Sequence, residues 1–236
     1  MSSGYSIIVT AYKTAKYLSE CIQSILAQTF FEKNHEWEIL IGVDGCEETL
    51  VVARSIAKRS NHIKVYMMNK NVGTYITSNT LISLSKYDKI IRFDSDDIMI
   101  EHLVSSVDKY SDEFDIVRFK KIDFVDGHKG RRVPSRKRRI PHGVMMIKRS
   151  TIDLLGGYKS WPCSADTDLL TRAKANSDIK IKLMHRSLFY CRKRPDSLTC
   201  SISTGLGSEL RQRYSLMIED RFYRIEPEVT EFTSYE

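Results

Sequence analysis

The stretch "IIRFDSDDIM", residues 90–99, decides the fold and points at the site. An apolar run ends abruptly in three carboxylates within four positions, Asp94, Asp96 and Asp97. Like charges repel, so three so close together need a partner that holds them. A plain surface turn accounts for a chain reversal but not for three charges. A calcium loop of EF-hand type puts oxygen ligands at positions one, three and five, glycine at six and glutamate at twelve. Counted from Asp94, those last three positions are Ile98, Met99 and Ser105, which rules that loop out. A divalent cation, manganese or magnesium, meets the chemistry better: it is commonly held by one or two carboxylates, with substrate phosphates completing its shell.

Working outward, apolar runs alternate with helical periodicity. "YSIIV" (5–9), "WEILIGV" (37–43), "IKVYMM" (63–68) and "KIIRF" (89–93) read as strands. Between them, residues 14–28, 48–59 and 75–85 carry apolar side chains at helical spacing, as at Leu18, Ile22, Ile25 and Leu26. Continuously apolar strands alternating with helices signal a parallel sheet covered on both faces. Ligands of such sheets bind beyond the carboxyl ends of the strands. Thr10–Tyr12, Asp44–Gly45, Asn71–Gly73 and Asp94–Asp97 all follow strand ends, so they are expected to converge on one crevice.

The second half is less regular. Helices are expected over 102–110, over 164–175 with Ser164 as N-cap, and from about Ser208 to Phe222. Strands are expected over 115–125, 144–149, 179–184 and 187–192. No internal repeat or linker divides the chain. The reading is one α/β domain over residues 1–236 whose second half extends the sheet.

Composition sets the class. Of 236 residues, 42% are hydrophobic and 28% charged, as in an ordinary globular protein. No apolar run approaches the roughly 18 residues that span a bilayer. The opening "MSSGYSIIVTAYK" reads as a strand, not a secretion signal. Five scattered cysteines, never in a CxxC pair, read as reduced thiols, and the expected location is cytoplasmic. The seven basic side chains of "GHKGRRVPSRKRRIPH" (127–142) equal the whole formal net charge of +7. Gly, Pro and Ser punctuate this segment, so it reads as a loop. It is either a solvated loop or a surface for an anionic partner: a diphosphate, a lipid headgroup at a membrane surface, or nucleic acid. No aromatic residue is interleaved, which speaks against single-stranded nucleic acid.

Four segments in order carry a resemblance: "YSIIVTAYKTAKYLSECIQSILAQTF" (5–30), "EILIGVDGCEETL" (38–50), "NKNVGTYITSN" (69–79) and "IIRFDSDD" (90–97). The chain resembles the inverting nucleotide-sugar glycosyltransferases of the GT-A fold, glycosyltransferase family 2, across roughly residues 5–105. "GVMMIKRSTIDLLGGY" (143–158) and "SADTDLLTRA" (164–173) match more loosely. The resemblance implies a mixed, mostly parallel sheet flanked by helices, with a nucleotide-sugar half (1–105) and an acceptor half (106–236) ending in a helix. It implies a metal-dependent enzyme of glycan biosynthesis. The donor is expected to be UDP-linked and the acceptor a glycan, a lipid-linked sugar or a protein.

Residue by residue, the resemblance places Thr10, Ala11 and Tyr12 at the nucleotide, Asp44 at the base and Gly73 where backbone approaches the nucleotide. It puts Asp94, Ser95 and Asp96 at the donor, with Asp94 at the ribose or the metal and Asp96 at the metal, so that Asp94 and Asp96 are the candidate ligands of manganese or magnesium. Asp97 is read instead as N-cap of the following helix. Asp166 is the implied general base, which takes the acceptor proton as the hydroxyl attacks the anomeric carbon; Trp161 and Asp168 fall on the acceptor side. The alternative for Asp166 and Asp168 is electrostatic support of a helix N-terminus. The chain departs from the family pattern at Val43, where a first aspartate is usual, at Ala165, where glutamate is usual, and at Arg194, where histidine is usual. Arginine cannot ligate a metal but pairs bidentately with phosphate, so Arg194 either weakens metal dependence or strengthens the phosphate grip. His142 and His185 are possible substitutes for that histidine or ordinary structural residues.

Overall fold

The alternating runs of the first hundred residues build the parallel heart of the sheet. The protein is seen as a computed structural model that describes residues 4–33, 36–127, 132–220 and 230–235. Strands β1 (Tyr5–Ala11), β2 (Trp37–Asp44), β3 (Ile63–Met68) and β4 (Lys89–Asp94) lie parallel in the order β3-β2-β1-β4. Beyond β4 come the two-residue β5 (Ile98–Met99), β6 (Ile116–Asp126), β7 (Arg132–Arg139), β8 (Met146–Lys148), β9 (Ile181–Arg192) and β10 (Phe232–Tyr235). The sheet order is β10-β3-β2-β1-β4-β8-β6-β9-β5, with β7 on β6. Because β8 is antiparallel to both β4 and β6, and β9 is parallel to β6, strands β1, β2, β4, β6 and β9 all point the same way. Their carboxyl ends therefore share one edge.

Side chains alternate across each strand, and both faces are covered. On one face α1 (Ala15–Leu26), α2 (Glu47–Ala57) and α4 (Leu103–Ser111) bury Leu18, Ile22, Ile25, Leu50, Ile56 and Leu103 against Ile7, Val9, Ile91 and Phe93. On the other, α3 (Thr74–Leu84), α5 (Arg149–Leu155) and α6 (Ala165–Ala175) pack Tyr75, Leu81, Ile152 and Leu169 on Ile8, Leu40 and Ile90. Each such side chain contributes about 1.5–3 kcal/mol when fully buried. A last helix, α7 (Glu209–Asp220), follows; the two final residues expected in it, 221–222, lie outside the described residues.

Several expectations need correction. Most of the described part of the basic segment is not a loop: residues 132–139 form strand β7 on β6, only 127 and 140–142 are irregular, and 128–131 lie outside the described residues. Pro134, which lacks an N–H, is tolerated there because β7 pairs only with β6 and is an edge. The cationic side chains of Arg132, Arg138 and Arg139 also discourage further strand pairing. The two strands expected over 179–192 are one, β9; irregularities in its pairing with β6 around Arg118–Lys121 absorb the polar "HR" that had suggested a break. Helix α5 and the short strands β5 and β10 were not expected, being too short to display a period.

Candidate active site

At the shared carboxyl edge the three aspartates separate into three environments. Asp94 ends β4 and, by strand alternation, points to the α3 face with Arg92. Arg92 Nη2 lies 2.9 Å from Asp94 Oδ1. The same buried guanidinium donates to Ser78 Oγ (3.1 Å), Thr74 Oγ1 (2.8 Å) and the Gly143 carbonyl (3.1 Å). Burial opposes its charge, but Asp94 foremost, with Tyr158, Tyr75 and Asp166, outweighs burial and holds it protonated. Thr10 Oγ1 joins through Thr74 Oγ1 at 2.8 Å. Arg92 was missed in the sequence; its signal was a cation inside an apolar strand.

Asp96 faces the other way. Its Oδ2 accepts Arg194 Nε–H at 2.6 Å, and the Arg194 guanidinium lies 5.5 Å from the Tyr17 ring. Burial and then the charge of Asp94 push the Asp96 carboxyl up, against the pull of Arg194. Asp97 is not a helix N-cap: α4 starts only at Leu103, and Asp97 Oδ1 accepts the backbone N–H of Arg192 at 2.9 Å. It ties the end of β9 to the aspartate turn, and burial pushes its carboxyl well up. The Arg192 side chain donates from Nε to the Asp96 carbonyl at 2.9 Å and pairs with Asp126 and Glu20. Beside it lies a cleft of about 770 Å³ lined by Lys16, Tyr17, Glu20, Asp126, Arg132 and Arg192. Ser95, expected at the donor, instead faces inward: it is buried and bonds Thr14 Oγ1 at 2.9 Å.

The neighbouring strand ends complete the crevice. Ala11 is buried, whereas Tyr12 is 40% exposed. Asp44 Oδ1 and Oδ2 accept the N–H groups of Val72 (2.8 Å) and Gly73 (2.9 Å), clamping the Asn71–Gly73 turn; burial pushes its carboxyl up. Two glycines make this junction possible. Gly45 has φ of +66° and a Cβ there would stand 2.4 Å from Asn71 N; Gly73 has φ of +91° and open space beside it.

Asp166 lies in the first turn of α6, on the α3 face. Ser164 is at the N-cap but in a left-handed conformation (φ 68°), and its side chain makes no cap bond, unlike the expectation. Asp166 Oδ1 accepts Tyr75 Oη–H at 2.9 Å and Thr167 N–H at 3.0 Å. Its Oδ2 has no hydrogen-bond partner among the described residues. A Cβ at Gly143 would stand 3.0 Å from Arg92 Nη1 and 3.2 Å from Asp166 Oδ2, so a bare backbone separates the two groups. His142 Nδ1 is 2.9 Å from Thr167 Oγ1, beside Asp166, and His185 lies in the middle of β9 near Lys109 and Tyr110. Asp168 corrects another expectation: it is fully buried and pairs with Arg172 (2.6 and 2.9 Å), which also donates to the carbonyls of Leu155 and Gly157. It braces α6 and does not line the crevice. Trp161 stacks on Tyr214 of α7 at 4.4 Å, joining the last helix to the loop before α6.

A family model, Glycosyl transferase family 2, matches residues 6–177. The chain belongs to that family. GlyG, a glycosyltransferase of Streptococcus pneumoniae serotype 4, is 31% identical over 108 residues, 45% of this chain and 35% of GlyG. This glycosyl transferase family 2 chain thus spans about a third of that relative. Staphylococcus aureus TarS 1–349 in complex with UDP-GlcNAc matches with a TM-score of 0.67 at 18% identity, over 82% of this chain and 60% of TarS 1–349. The mannosyltransferase PcManGT of Pyrobaculum calidifontis, in complex with GDP-Man and Mn2+, matches with a TM-score of 0.68 at 14% identity, over 94% of this chain and 66% of PcManGT. These likenesses establish the GT-A fold: a central, mostly parallel sheet flanked by helices.

Proposed function

We propose that this chain transfers a sugar from a nucleotide-sugar to an acceptor hydroxyl with inversion, Asp166 serving as general base. The observation that carries the reading is the Asp166 carboxylate: one oxygen is anchored by Tyr75 and Thr167, and the other faces the Gly143 backbone with no hydrogen-bond partner among the described residues. The acceptor oxygen attacks the anomeric carbon while Asp166 Oδ2 takes its proton. The bond from that carbon to the phosphate oxygen breaks, and the electron pair leaves with the nucleoside diphosphate. Anchoring Oδ1 keeps the free oxygen in place for the attack, which is where orientation contributes most to rate.

The donor is a uridine nucleotide in this reading. Thr10, Ala11 and Tyr12 lie against the nucleotide, Gly73 leaves room for it, and Asp44 accepts the uracil N–H through lone pairs that the turn leaves over. Asp94 contacts the ribose. The acceptor is a glycan, a lipid-linked sugar or a protein, reached from the Trp161 side, with β7 offering cations to a phosphate-bearing acceptor or an anionic membrane surface. No described helix is long and apolar enough to cross a membrane.

Manganese or magnesium at Asp94 and Asp96 completes the sequence expectation, and the residues do not fit it. Each carboxylate already faces a guanidinium, Arg92 or Arg194. No step is routed through such an ion.

A donor panel read by released nucleoside diphosphate tests the function. UDP-sugars are expected to turn over, and Asp166→Asn to lose transfer while still binding donor. Pyrophosphate as product would indicate nucleotidyl transfer, and binding without turnover an inactive nucleotide- or glycan-binding module. A clear preference for GDP over UDP, TDP and CDP in calorimetry would overturn the uridine assignment.

A further inference from the structure

Arg194 is built into the aspartate turn. Its Nε donates to Asp96 Oδ2 at 2.6 Å, and both side chains are only 14% exposed. Its Nη1 lies 2.7 Å from Asp196 Oδ2, a side chain that is 69% exposed. Its Nη2 has no hydrogen-bond partner among the described residues. Tyr17 and Arg192 close in from α1 and β9, the Arg192 guanidinium 4.7 Å from the same ring. Asp97 meanwhile is committed to the backbone of Arg192, and Asp94 faces Arg92.

A divalent ion needs oxygen or imidazole donors, and a guanidinium offers none. An ion bound at Asp96 would also stand against a fixed positive charge. A diphosphate meets the opposite situation. It finds an Nη2 with no partner among the described residues and an Nη1 whose exposed carboxylate partner is weakly held and easily displaced. The Nε bond to Asp96 fixes the guanidinium plane, so its Nη edge is preorganised for phosphate oxygens.

We propose that Arg194, seated on Asp96, takes the place of a divalent ion, so that this chain grips the diphosphate of its donor, and stabilises the departing one, with a guanidinium and without metal. The inference rests on the transferase reading, because it concerns the leaving group of that reaction. Its charge balance is simple: the diphosphate replaces Asp196 at Arg194, and Asp96 remains the fixed counter-ion.

Calorimetry of UDP with the full chain, in EDTA and in Mn2+, is the test. Equal affinity in the two conditions, to within about threefold, is expected, together with no Mn2+ bound by the wild-type chain in paramagnetic resonance. Arg194→Ala is expected to weaken UDP about 10- to 100-fold in EDTA, the range for a lost hydrogen bond to a charged group. Arg194→His places a ring nitrogen beside Asp96 and is expected to acquire Mn2+ binding. Wild-type UDP binding that requires Mn2+ overturns the inference and leaves the transferase reading standing. No binding of UDP, GDP, TDP or CDP in either condition overturns both. A foldable Arg194→Ala with unchanged affinity, or a histidine variant that gains no Mn2+, also overturns it. The wild-type comparison decides the matter even if the alanine variant, left with a buried unpaired Asp96, fails to fold.

Discussion

Tyr75→Phe isolates the anchoring of the proposed base. The Tyr75 ring is 5% exposed and stacks on Tyr158 at 5.6 Å, contacts that phenylalanine keeps. What disappears is one hydroxyl, donating at 2.9 Å to Asp166 Oδ1. Burial and then the charge of Asp166 push the Tyr75 phenol well above its ordinary value, so it remains a donor throughout the working pH range. A hydrogen bond to a charged acceptor is worth about 1.5–3 kcal/mol. Asp166 keeps the Thr167 N–H at 3.0 Å, so the lower end applies. About 1.5 kcal/mol corresponds to roughly a tenfold fall in kcat. The loss belongs in kcat and not in KM for the donor, because Asp166 acts only as the acceptor proton moves. Nucleoside diphosphate release measures both constants, and a thermal melt checks the fold. A kcat within about twofold of wild type, with transfer intact, would refute the claim that Tyr75 positions Asp166.

Three further outcomes follow from the same geometry. Arg92→Met removes all four partners of a buried guanidinium at once; with Asp94 partly solvated the cost is set at about 3 kcal/mol, which lowers Tm by roughly 6–12 °C and is read by calorimetric melting. Asp168→Ala leaves Arg172 buried without its carboxylate, at about 3–5 kcal/mol; its Tm falls, while kcat measured well below the melt stays near wild type, which an acceptor-binding role would not allow. Replacing Arg136, Lys137, Arg138 and Arg139 with Ser is expected to raise KM for the acceptor, more at low salt than at high, and to spare slow donor hydrolysis; lost hydrolysis with unchanged acceptor KM would assign these cations to the diphosphate instead.

Much of this was legible in the chain itself. Strand–helix alternation up to Asp97 announced the parallel sheet, because a strand covered on both faces must be apolar throughout, and the rule that ligands gather at carboxyl ends followed from it. The acidic turn, the Asp44–Gly45 junction and Asp166 were likewise visible as residue types at strand and helix ends. Partnership was not. Arg194 is 98 residues from Asp96, and Tyr75 is 91 from Asp166. Such pairs are set by which strands β8 and β9 align with, and one-dimensional periodicity carries no information about that. The same limit hid the inward turn of Ser95, the burial of Asp168 and the pairing of the basic segment with β6. Local composition announces that a carboxylate or cation is present. Only packing decides whether it meets a backbone amide, an opposite charge or the crevice, because that depends on groups distant in sequence competing for the same buried space.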